Sequence, residues 1–541
     1  MKLVRFCLTL SIGSIATCAA LAHADEPASI LPNRPDAHAA TKPVSMAGLG
    51  PTFESVSAGI AFKPPANAMQ IHRAVSDNEI VQYTNDDKKW NLHVSRMFLS
   101  KRMPLAKYED KNGVVTNGML EYLVGQIQNQ IPGAEIKRND VTNLGDTPVG
   151  MIAVRYQLGI DTMLKQEAII PAYTNDEAGV PQAGRTSRAF YIFDMTSPAP
   201  KTGELKDDAN VQEAVDIFGR VVDSVKMVDQ DQLKQEIIDR KMRTRTLLVN
   251  LTPSRIREAM IKEQWLRLMR DGKDIGYSYV VEQEAQDLPK KGIVQEAANP
   301  EAAGVLIGIR SRTVPGPEQQ VDAESWMFVS LNRRHEAWQT TGIVDAKGAK
   351  QPFSEYGASD MKTRSVVDPN LLPGEQTRKG EDKNQPPVRQ IDQYTLNVTH
   401  VAKTAQAPLN QDLPPWYIPQ ALGHLLPRLV AHYEGKTYFF STYVSDSNQV
   451  VNRFVDVGFE QPVELNGQKV RAIPVTDRLG YEGARTVHYI SPDGQYLGSI
   501  NEESKIMILP TDRVTLEKLW KNANLTRPGE IEPATAPAKA Q

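Results

Sequence analysis

Carboxylate and imidazole side chains are the groups in this sequence that could do acid–base or metal chemistry. Glu282 and Glu284 lie two residues apart, so on a strand they share a face and could form an acid/base pair. His424 and His432 lie eight residues apart across Pro427, a spacing that does not give the single helix face of an i, i+4 zinc pair. We therefore expect the two carboxylates to line the solvent face of a sheet, and we expect no metal at the histidines.

Sequence motifs for catalysis are missing from the chain. There is no G-x-S-x-G nucleophile elbow, and no phosphate-binding glycine motif follows a predicted strand. Both cysteines, Cys7 and Cys18, lie in the first 24 residues, so a chain cleaved after Ala24 has no thiol and no disulfide. The sequence thus predicts no catalytic residue, no cofactor and no metal, although a site assembled from distant residues stays open.

The first 24 residues have the pattern of a secretory signal peptide. Lys2 and Arg5 precede an apolar run, and Ala22 and Ala24 frame a small-x-small cleavage signal. We expect export, with cleavage after Ala24, to a periplasmic or extracellular place. The alternative is a lipoprotein acylated at Cys18, for which mass spectrometry of the mature N-terminus is the test.

Length and charge limit the architecture and the partners. A chain of 541 residues predicts two to four domains, and loss of the leader changes the formal charge from −3 to −5. This small negative excess argues against nucleic acid as a partner. No later stretch holds about 18 consecutive apolar residues, so we expect no transmembrane helix in the mature chain. Residues 25–80, rich in Pro, Ala, Ser and Gly, are predicted to be a low-complexity spacer.

The pattern of residues 81–229 predicts the first folded domain. Its elements are the strand WNLHVSR, an amphipathic helix, the strands VGMIAVRYQL, LKQEAII and RAFYIFDMTSP, and a helix ending in VVDSVKMVD. In this order and hydrophobic pattern the segment resembles the PsbP-like/DcrB-like family. The resemblance implies an α+β fold, an α/β/α sandwich with an antiparallel sheet, and no shared catalytic residues. Residues 230–246 are predicted to form a connecting helix.

The pattern of residues 247–522 predicts a large antiparallel β domain. A hairpin turn at Asp271-Gly272 opens it, many strands follow, residues 371–389 form an exposed insertion, and residues 523–541 form a disordered tail. The sequences LRLMRDGKDIGYSYVVEQE and TVHYISPDGQYLGSI are similar to the strand-turn-strand units of periplasmic lipoprotein carriers (LolA/LolB-like). This resemblance implies a curved sheet or half-barrel with an embedded helix, for which residues 414–430 are the candidate.

Aromatic residues recur along the predicted strands of this domain. They are explained by core packing or by a concave apolar surface that receives a lipid, an acylated peptide or a partner helix. For the second reading, the candidate groove residues are Trp265, Tyr277, Tyr279, Trp326, Phe328, Trp338, Leu422 and Leu425.

Three functions remain open at this point. The first is an exported, non-catalytic binding or scaffold protein of the cell envelope, whose partner is a lipid, a hydrophobic peptide or an envelope protein. The second is an envelope hydrolase, which predicts a cluster of Asp, Glu or His with perturbed pKa values in one cleft. The third is a structural surface component that forms a stable, repetitive assembly.

Overall fold

The computed structural model describes residues 48–71, 77–109, 111–173, 184–201, 205–289, 294, 303–316, 318–367, 388–401, 408–445, 447–521, 523–526 and 528. It is mostly antiparallel β-sheet, with fewer helices. The described chain divides into two compact units. The N-terminal unit comprises the described residues up to Asp239 together with Gly480–Gly483, and the C-terminal unit comprises Arg240–Leu479 and the described residues from Ala484 onward. The predicted signal peptide, including Cys18, lies outside the described residues.

The N-terminal unit is built on a seven-stranded antiparallel sheet of order β3-β4-β5-β11-β10-β9-β8, with β1, β2 and β12 in a second, smaller sheet and β6 paired with β7. The elements are β1 (Phe53–Ser55), β2 (Ile60–Phe62), β3 (Met69–Ile71), β4 (Glu79–Asn85), β5 (Trp90–Pro104), β6 (Tyr108–Glu109), β7 (Val115–Thr116), α1 (Met119–Gln130), β8 (Glu135–Leu144), β9 (Thr147–Leu158), β10 (Asp161–Pro171), β11 (Thr186–Pro198), a 3-10 turn (Leu205–Asp207), α2 (Ala209–Asp223), β12 (Lys226–Met227) and α3 (Gln230–Val249), which crosses into the C-terminal unit.

Helix α1 covers an apolar part of the seven-stranded sheet. Its apolar residues recur at helical spacing, so they form one stripe, which packs against strand residues that alternate inward. Gly150 in β9 permits the close approach, because a Cβ atom there would lie 2.9 Å from the side chain of Leu120. The buried cluster consists of Leu105, Met119, Leu120, Leu123, Ile127, Ile152, Val154, Ile169, Phe190 and Ile192.

Residues 48–71 differ from the predicted spacer. They form β1, β2 and β3, and Ile60 and Phe62 are fully buried. The ring of Phe62 lies 5.1 Å from that of Phe193 in the seven-stranded sheet. The Pro and Gly content of this segment masked three strands of three residues each, which are stabilised by tertiary packing.

The C-terminal unit contains a fifteen-stranded antiparallel sheet within the described residues. Its elements are α4 (Pro253–Glu258), β13 (Glu263–Arg270), β14 (Lys273–Ala285), β15 (Gly304–Gly316), β16 (Gln319–Ser330), β17 (His335–Ala346), β18 (Ala349–Val367), β19 (Val388–Val401), β20 (Leu409–Leu413), α5 (Gln420–Val430), β21 (Thr437–Val444), β22 (Gln449–Val457), β23 (Gln461–Leu465), β24 (Gln468–Leu479), β25 (Thr486–Ile490), β26 (Tyr496–Asn501), β27 (Ile506–Thr511) and α6 (Arg513–Leu519).

The strand order of this sheet is β20-β19-β18-β17-β16-β15-β14-β13-β27-β26-β25-β24-β22-β21, with β23 paired to β24. The predicted hairpin at its start is present: Asp271 and Gly272 both have positive φ, 50° and 74°, as a tight turn between β13 and β14 requires. The large antiparallel sheet and its embedded helix agree with the coarse prediction from sequence.

Three details of this unit differ from the sequence prediction. The embedded helix begins at Gln420 rather than Pro414, because residues 414–419 make a separate connection. The predicted insertion at 371–389 lies mostly outside the described residues, and its last two residues start β19. The start of the predicted disordered tail is packed, since Leu525 is buried beside Tyr277 and Leu516.

Candidate functional site

The candidate site is the interior of the C-terminal sheet, which is occupied by α5, here called the core helix. Every residue from Ala421 to Val430 is buried, including His424 and Arg428. A helix that is buried on all sides belongs inside a protein core. Its two basic side chains therefore need partners in the interior, because an unpaired buried charge is very costly.

The core helix shows that the sheet is strongly curled. It contacts β15 and β16 and also β21 and β25. Nine strand steps separate β16 from β21, a distance of about 43 Å in a flat sheet. The 11-residue helix is only about 16 Å long. The sheet must therefore wrap around the helix for both sets of strands to reach it.

Glu282 in β14 is the first anchor of the core helix. His424 Nε2 lies 3.0 Å from its Oε1, and Arg428 donates from Nη1 to Oε2 at 3.0 Å and from Nη2 to Oε1 at 2.5 Å. The backbone N–H of Ile261 and the side-chain amide of Gln264 also donate to this carboxylate, at 2.6 and 3.1 Å. The carboxylate is thus surrounded by donors from the helix and from its own side of the sheet.

The charge state of Glu282 follows from these contacts. Burial alone would raise the pKa of this carboxyl group. The positive charge of Arg428 and the hydrogen bonds from His424 and Arg428 outweigh burial and lower the pKa to about 2. Glu282 is therefore a permanent anion, suited to hold cations and not to donate a proton.

Glu336 in β17 is the second anchor, and it holds the start of the core helix. Its Oε1 accepts hydrogen bonds from Tyr417 Oη at 2.6 Å and Ser359 Oγ at 2.8 Å, and its Oε2 accepts from the backbone N–H of Gln420 at 2.9 Å. Gln420 also donates its side-chain amide to the carbonyl of Tyr443, at 2.9 Å. A carboxylate at this place satisfies a free N–H of the helix and faces the positive end of its dipole.

The environment of Glu336 has the opposite effect on its charge. Burial raises the pKa of this carboxyl group, and the hydrogen bonds from Tyr417, Ser359 and Gln420 only partly offset it. The donors that contact it are hydroxyl groups and a backbone amide, all neutral. Glu336 therefore takes up a proton more readily than a carboxyl group in water does.

Pro427 opens the backbone of the core helix at one carbonyl. Because proline has no N–H, the carbonyl of Gly423 loses its helical donor. Arg453 in β22 supplies the missing hydrogen bond from Nη2, at 3.1 Å. Arg453 is held in turn by Asp477, whose carboxylate oxygens lie 3.0 and 3.1 Å from Nε. The carbonyl that Pro427 leaves without a helical donor is thus satisfied by an arginine of the sheet.

His488 in β25 belongs to the same interior. Its Nε2 lies 3.9 Å from Asp477 Oδ2, and its ring is almost completely buried. Burial lowers the pKa of His488 to about 4, and Arg453 and Arg428 further oppose the attraction of Asp477, which acts in the opposite direction. The neutral form is therefore the stable one near neutral pH.

Residues 414–419, here called the seam segment, connect the two ends of the sheet. They follow β20 and run parallel to a short part of β21. Ile418 donates its N–H to the carbonyl of Ser441 at 2.9 Å, and Ser441 donates to the carbonyl of Trp416 at 3.0 Å. The seam segment and the core helix therefore occupy the place where the curled sheet comes together.

The eight residues predicted to line a groove do not form one surface. Trp338, Leu422 and Leu425 lie in the buried cluster around the core helix. Trp326 and Phe328 point to the opposite face of the sheet, where they pack with Leu306 and Ala337. The last three, Trp265, Tyr277 and Tyr279, also face away from the core helix and lie near the C-terminal helix α6; Tyr279 stacks on Trp265 with ring centroids 3.9 Å apart.

This division corrects the predicted groove. Both faces of β14 and β16 are covered, so the alternation of aromatic residues marks packing on two sides. Within the described residues, the part of the prediction that meets the core helix is Trp338, Leu422 and Leu425.

The carboxylate pair is also corrected in part. Glu282 is fully buried in the interior, whereas Glu284 is 40% exposed and pairs with Arg257 at 2.9 Å, as expected of a solvent face. The sequence reasoning missed Glu336, His424 and Arg428 as functional residues. A signal for two of them was present, since His424 and Arg428 are four residues apart in a strongly apolar helix.

In the described part of the chain, no group of three or more His, Cys, Asp or Glu residues has a geometry that could hold a metal ion. Over the same residues, no helix combines the length and the apolar character needed to cross a bilayer.

Neither a protein-family model nor a curated protein matches this chain. Distant structural neighbours include a beta-barrel-like protein of the domain of unknown function DUF1849 from Brucella abortus, with a TM-score of 0.28, 14% identity, and 46% of this chain and 97% of that chain covered. The cyanobacterial PsbP (CyanoP) of Synechocystis sp. PCC 6803 gives a TM-score of 0.23 and 11% identity over 35% of this chain and 98% of its own. A crystal structure from Bacteroides thetaiotaomicron VPI-5482 has a TM-score of 0.19 and 12% sequence identity, with 33% of this chain and 49% of that chain covered. Similarity this distant carries no functional assignment.

Proposed function

We propose that this chain is an exported, non-catalytic binding or scaffold protein of the cell envelope, and that its C-terminal unit holds a lipid or an acylated or hydrophobic partner inside the curled sheet. The observation that carries the proposal is the core helix: an apolar interior is filled by a short helix of the same chain. A partner with an apolar surface enters by taking the place of this helix.

The interior has the composition that such a partner requires. Apolar side chains of the helix and of strands from both ends of the sheet meet there, so helix removal would expose a continuous apolar surface. Residues of this surface include Leu266, Leu268, Val280, Val305, Ile307, Ile309, Met327, Val329, Trp338, Tyr438, Phe440, Val455, Val475, Ile490 and Ile508.

The polar groups of the interior support binding rather than hydrolysis. Glu282 and Glu336 accept hydrogen bonds from groups of the fold at both oxygens, and both contact the core helix. A general acid or base needs a lone pair or a proton within reach of a substrate. These carboxylates instead work as attachment points for the core helix.

Export and the role of the N-terminal unit belong to the same proposal. Support for export is the leader pattern of residues 1–24, which predicts cleavage after Ala24. For the N-terminal unit we propose a PsbP-like α/β/α sandwich that acts as an adaptor module. The order of helix α1, strands β8 to β11 and helix α2 supports this assignment.

Binding of 11-(dansylamino)undecanoic acid, a fluorescent fatty acid, tests the proposal in the purified mature chain. Glu336→Ala removes the anchor at the start of the core helix, so it raises the fraction of molecules whose interior is open. We expect binding about tenfold tighter than in the wild type, since apparent affinity scales with the competent fraction.

Phe328→Ala is the matched control. It removes a buried side chain from the opposite face of the same sheet, so it lowers stability without releasing the core helix. Its affinity for the probe is expected to stay at the wild-type level. The proposal is wrong if neither the wild type nor Glu336→Ala binds the probe, or if both variants gain affinity equally.

A further inference from the structure

A row of polar residues crosses four neighbouring strands of the N-terminal sheet. Gln82 in β4 pairs with His93 in β5, His93 with Asp194 in β11, and Asp194 with Glu167 in β10. Directly opposed residues share a face of the sheet. Further along this face, Ile169 and Ile192 lie under helix α1, so the row continues an apolar surface.

Lys165 joins the two carboxylates of this row. Its Nζ lies 2.8 Å from Glu167 Oε1 and 2.8 Å from Asp194 Oδ2. Each carboxylate thereby uses one oxygen. The second oxygen of each, Glu167 Oε2 and Asp194 Oδ1, is buried and accepts no hydrogen bond from the described protein.

Two buried acceptors without a donor destabilise the fold, and more strongly when they are charged. The two residues are direct cross-strand partners, whose Cβ atoms lie about 4.5–5.5 Å apart. Side chains of this length at this separation can bring one oxygen of each carboxyl group within hydrogen-bonding distance of the other. One proton between the two free oxygens would satisfy both of them.

The neighbouring charges agree with such a proton. Burial raises the pKa of Glu167, and the charge of Asp194 adds to this effect while Lys165 opposes it. Burial raises the pKa of Tyr156 on the adjoining strand β9, so its hydroxyl stays neutral. His93, beside Asp194, lies 3.4 Å from Glu79 in β4.

We propose that Glu167 carries a proton, which its Oε2 donates to Asp194 Oδ1 beside the ammonium group of Lys165, and that the N-terminal sheet is therefore a proton-responsive element. A group that binds its proton more tightly when folded stabilises the fold below its ordinary pKa. The stabilisation is lost as the pH rises through the folded value. Alkaline pH thus loosens the contact between β10 and β11, and acid tightens it.

Hydrogen exchange of the full chain, followed by mass spectrometry on peptides from β10 and β11, tests the proposal. In Glu167→Gln the amide N–H donates permanently to Asp194 while its oxygen still accepts from Lys165. At about pH 9 we expect these peptides to exchange about tenfold more slowly in the variant than in the wild type, since one pKa unit corresponds to a factor of ten. At about pH 5, where the proton is bound, these peptides are expected to exchange at the same rate in the two proteins.

Glu135→Gln is the control, because Glu135 is an exposed glutamate of edge strand β8 that pairs with Lys137 and Arg155. In this variant the peptides from β10 and β11 should exchange at the wild-type rate at each pH. Asp194→Asn provides a second test by the same logic, should Glu167→Gln fold poorly. Infrared spectra at neutral pH should contain a protonated-carboxyl band that both variants lose. A wild type without this band, or exchange in either variant that keeps the wild-type pH dependence, would overturn the proposal.

Discussion

Two buried carboxylates hold the same core helix by opposite chemistry. Glu282 is contacted by a guanidinium and an imidazole group, and its pKa is lowered to about 2. Glu336 is contacted by two hydroxyl groups and a backbone N–H, and burial raises its pKa. Burial is nearly complete for both, so the charge of the donors decides the direction.

The difference separates a fixed attachment from an adjustable one. The N–H groups of Arg428 can only donate, so they require an anion at Glu282. The hydroxyl groups of Tyr417 and Ser359 can donate or accept, so they tolerate a neutral partner at Glu336. The middle of the core helix is therefore held firmly, whereas its start and the seam segment are the end that can be released.

The largest effect is expected from removal of the cation at the fixed anchor. Arg428→Met leaves Glu282 buried without its main counter-charge, and we expect a loss of about 3–5 kcal/mol in the free energy of unfolding. Urea unfolding measures it. Arg267→Met is the control, because Arg267 forms a partly exposed ion pair with Asp274 and should cost only about 0–1 kcal/mol. Equal losses in the two variants would contradict the expected difference between the buried and the partly exposed ion pair.

The second prediction compares the same substitution at both anchors. Glu282→Gln places an amide N–H against N–H donors that cannot reverse, so we expect a loss of about 2–4 kcal/mol. Glu336→Gln meets hydroxyl groups that can turn to accept, while its oxygen still accepts from Gln420, so we expect a change within about 1 kcal/mol. Urea unfolding at neutral pH separates the two outcomes. Equal costs would remove the distinction between a fixed and an adjustable anchor.

The smallest effect is a pH dependence that differs between the anchors. The folded pKa of Glu336 is raised, so its stabilisation is complete below the ordinary carboxyl value and is lost as the pH rises through the folded value. Stability of the wild type relative to Glu336→Gln should therefore increase as the pH is lowered from about 8 to about 4.5. The folded pKa of Glu282 is lowered to about 2, so its contribution stays constant over this range and falls only in stronger acid.

Local patterns were sufficient for the outline of the C-terminal unit. The turn at Asp271-Gly272 depends on positive φ at two successive residues, which the residue types themselves favour. Apolar runs and a proline-bounded helix predicted the large sheet and its embedded helix. These features are decided within a few residues of sequence.

The anchors could not be predicted because they depend on distant parts of the chain. Glu282 and His424 are 142 residues apart, and nothing near Glu282 distinguishes it from Glu284. Likewise, Tyr277 is covered by Leu516 and Leu525 from the far end of the sequence. Which face of a strand is exposed to solvent depends on segments from distant parts of the sequence that pack against it.

The pairing of β13 with β27 has a consequence for how this protein is made. Residues 263–270 lie beside residues 506–511 in the middle of the sheet, and Gly480–Gly483 belong to the N-terminal unit. Neither unit can complete its contacts until more than 480 residues have been synthesised. Contacts so distant in sequence make folding slow, so both units stay incomplete until most of the chain has been synthesised.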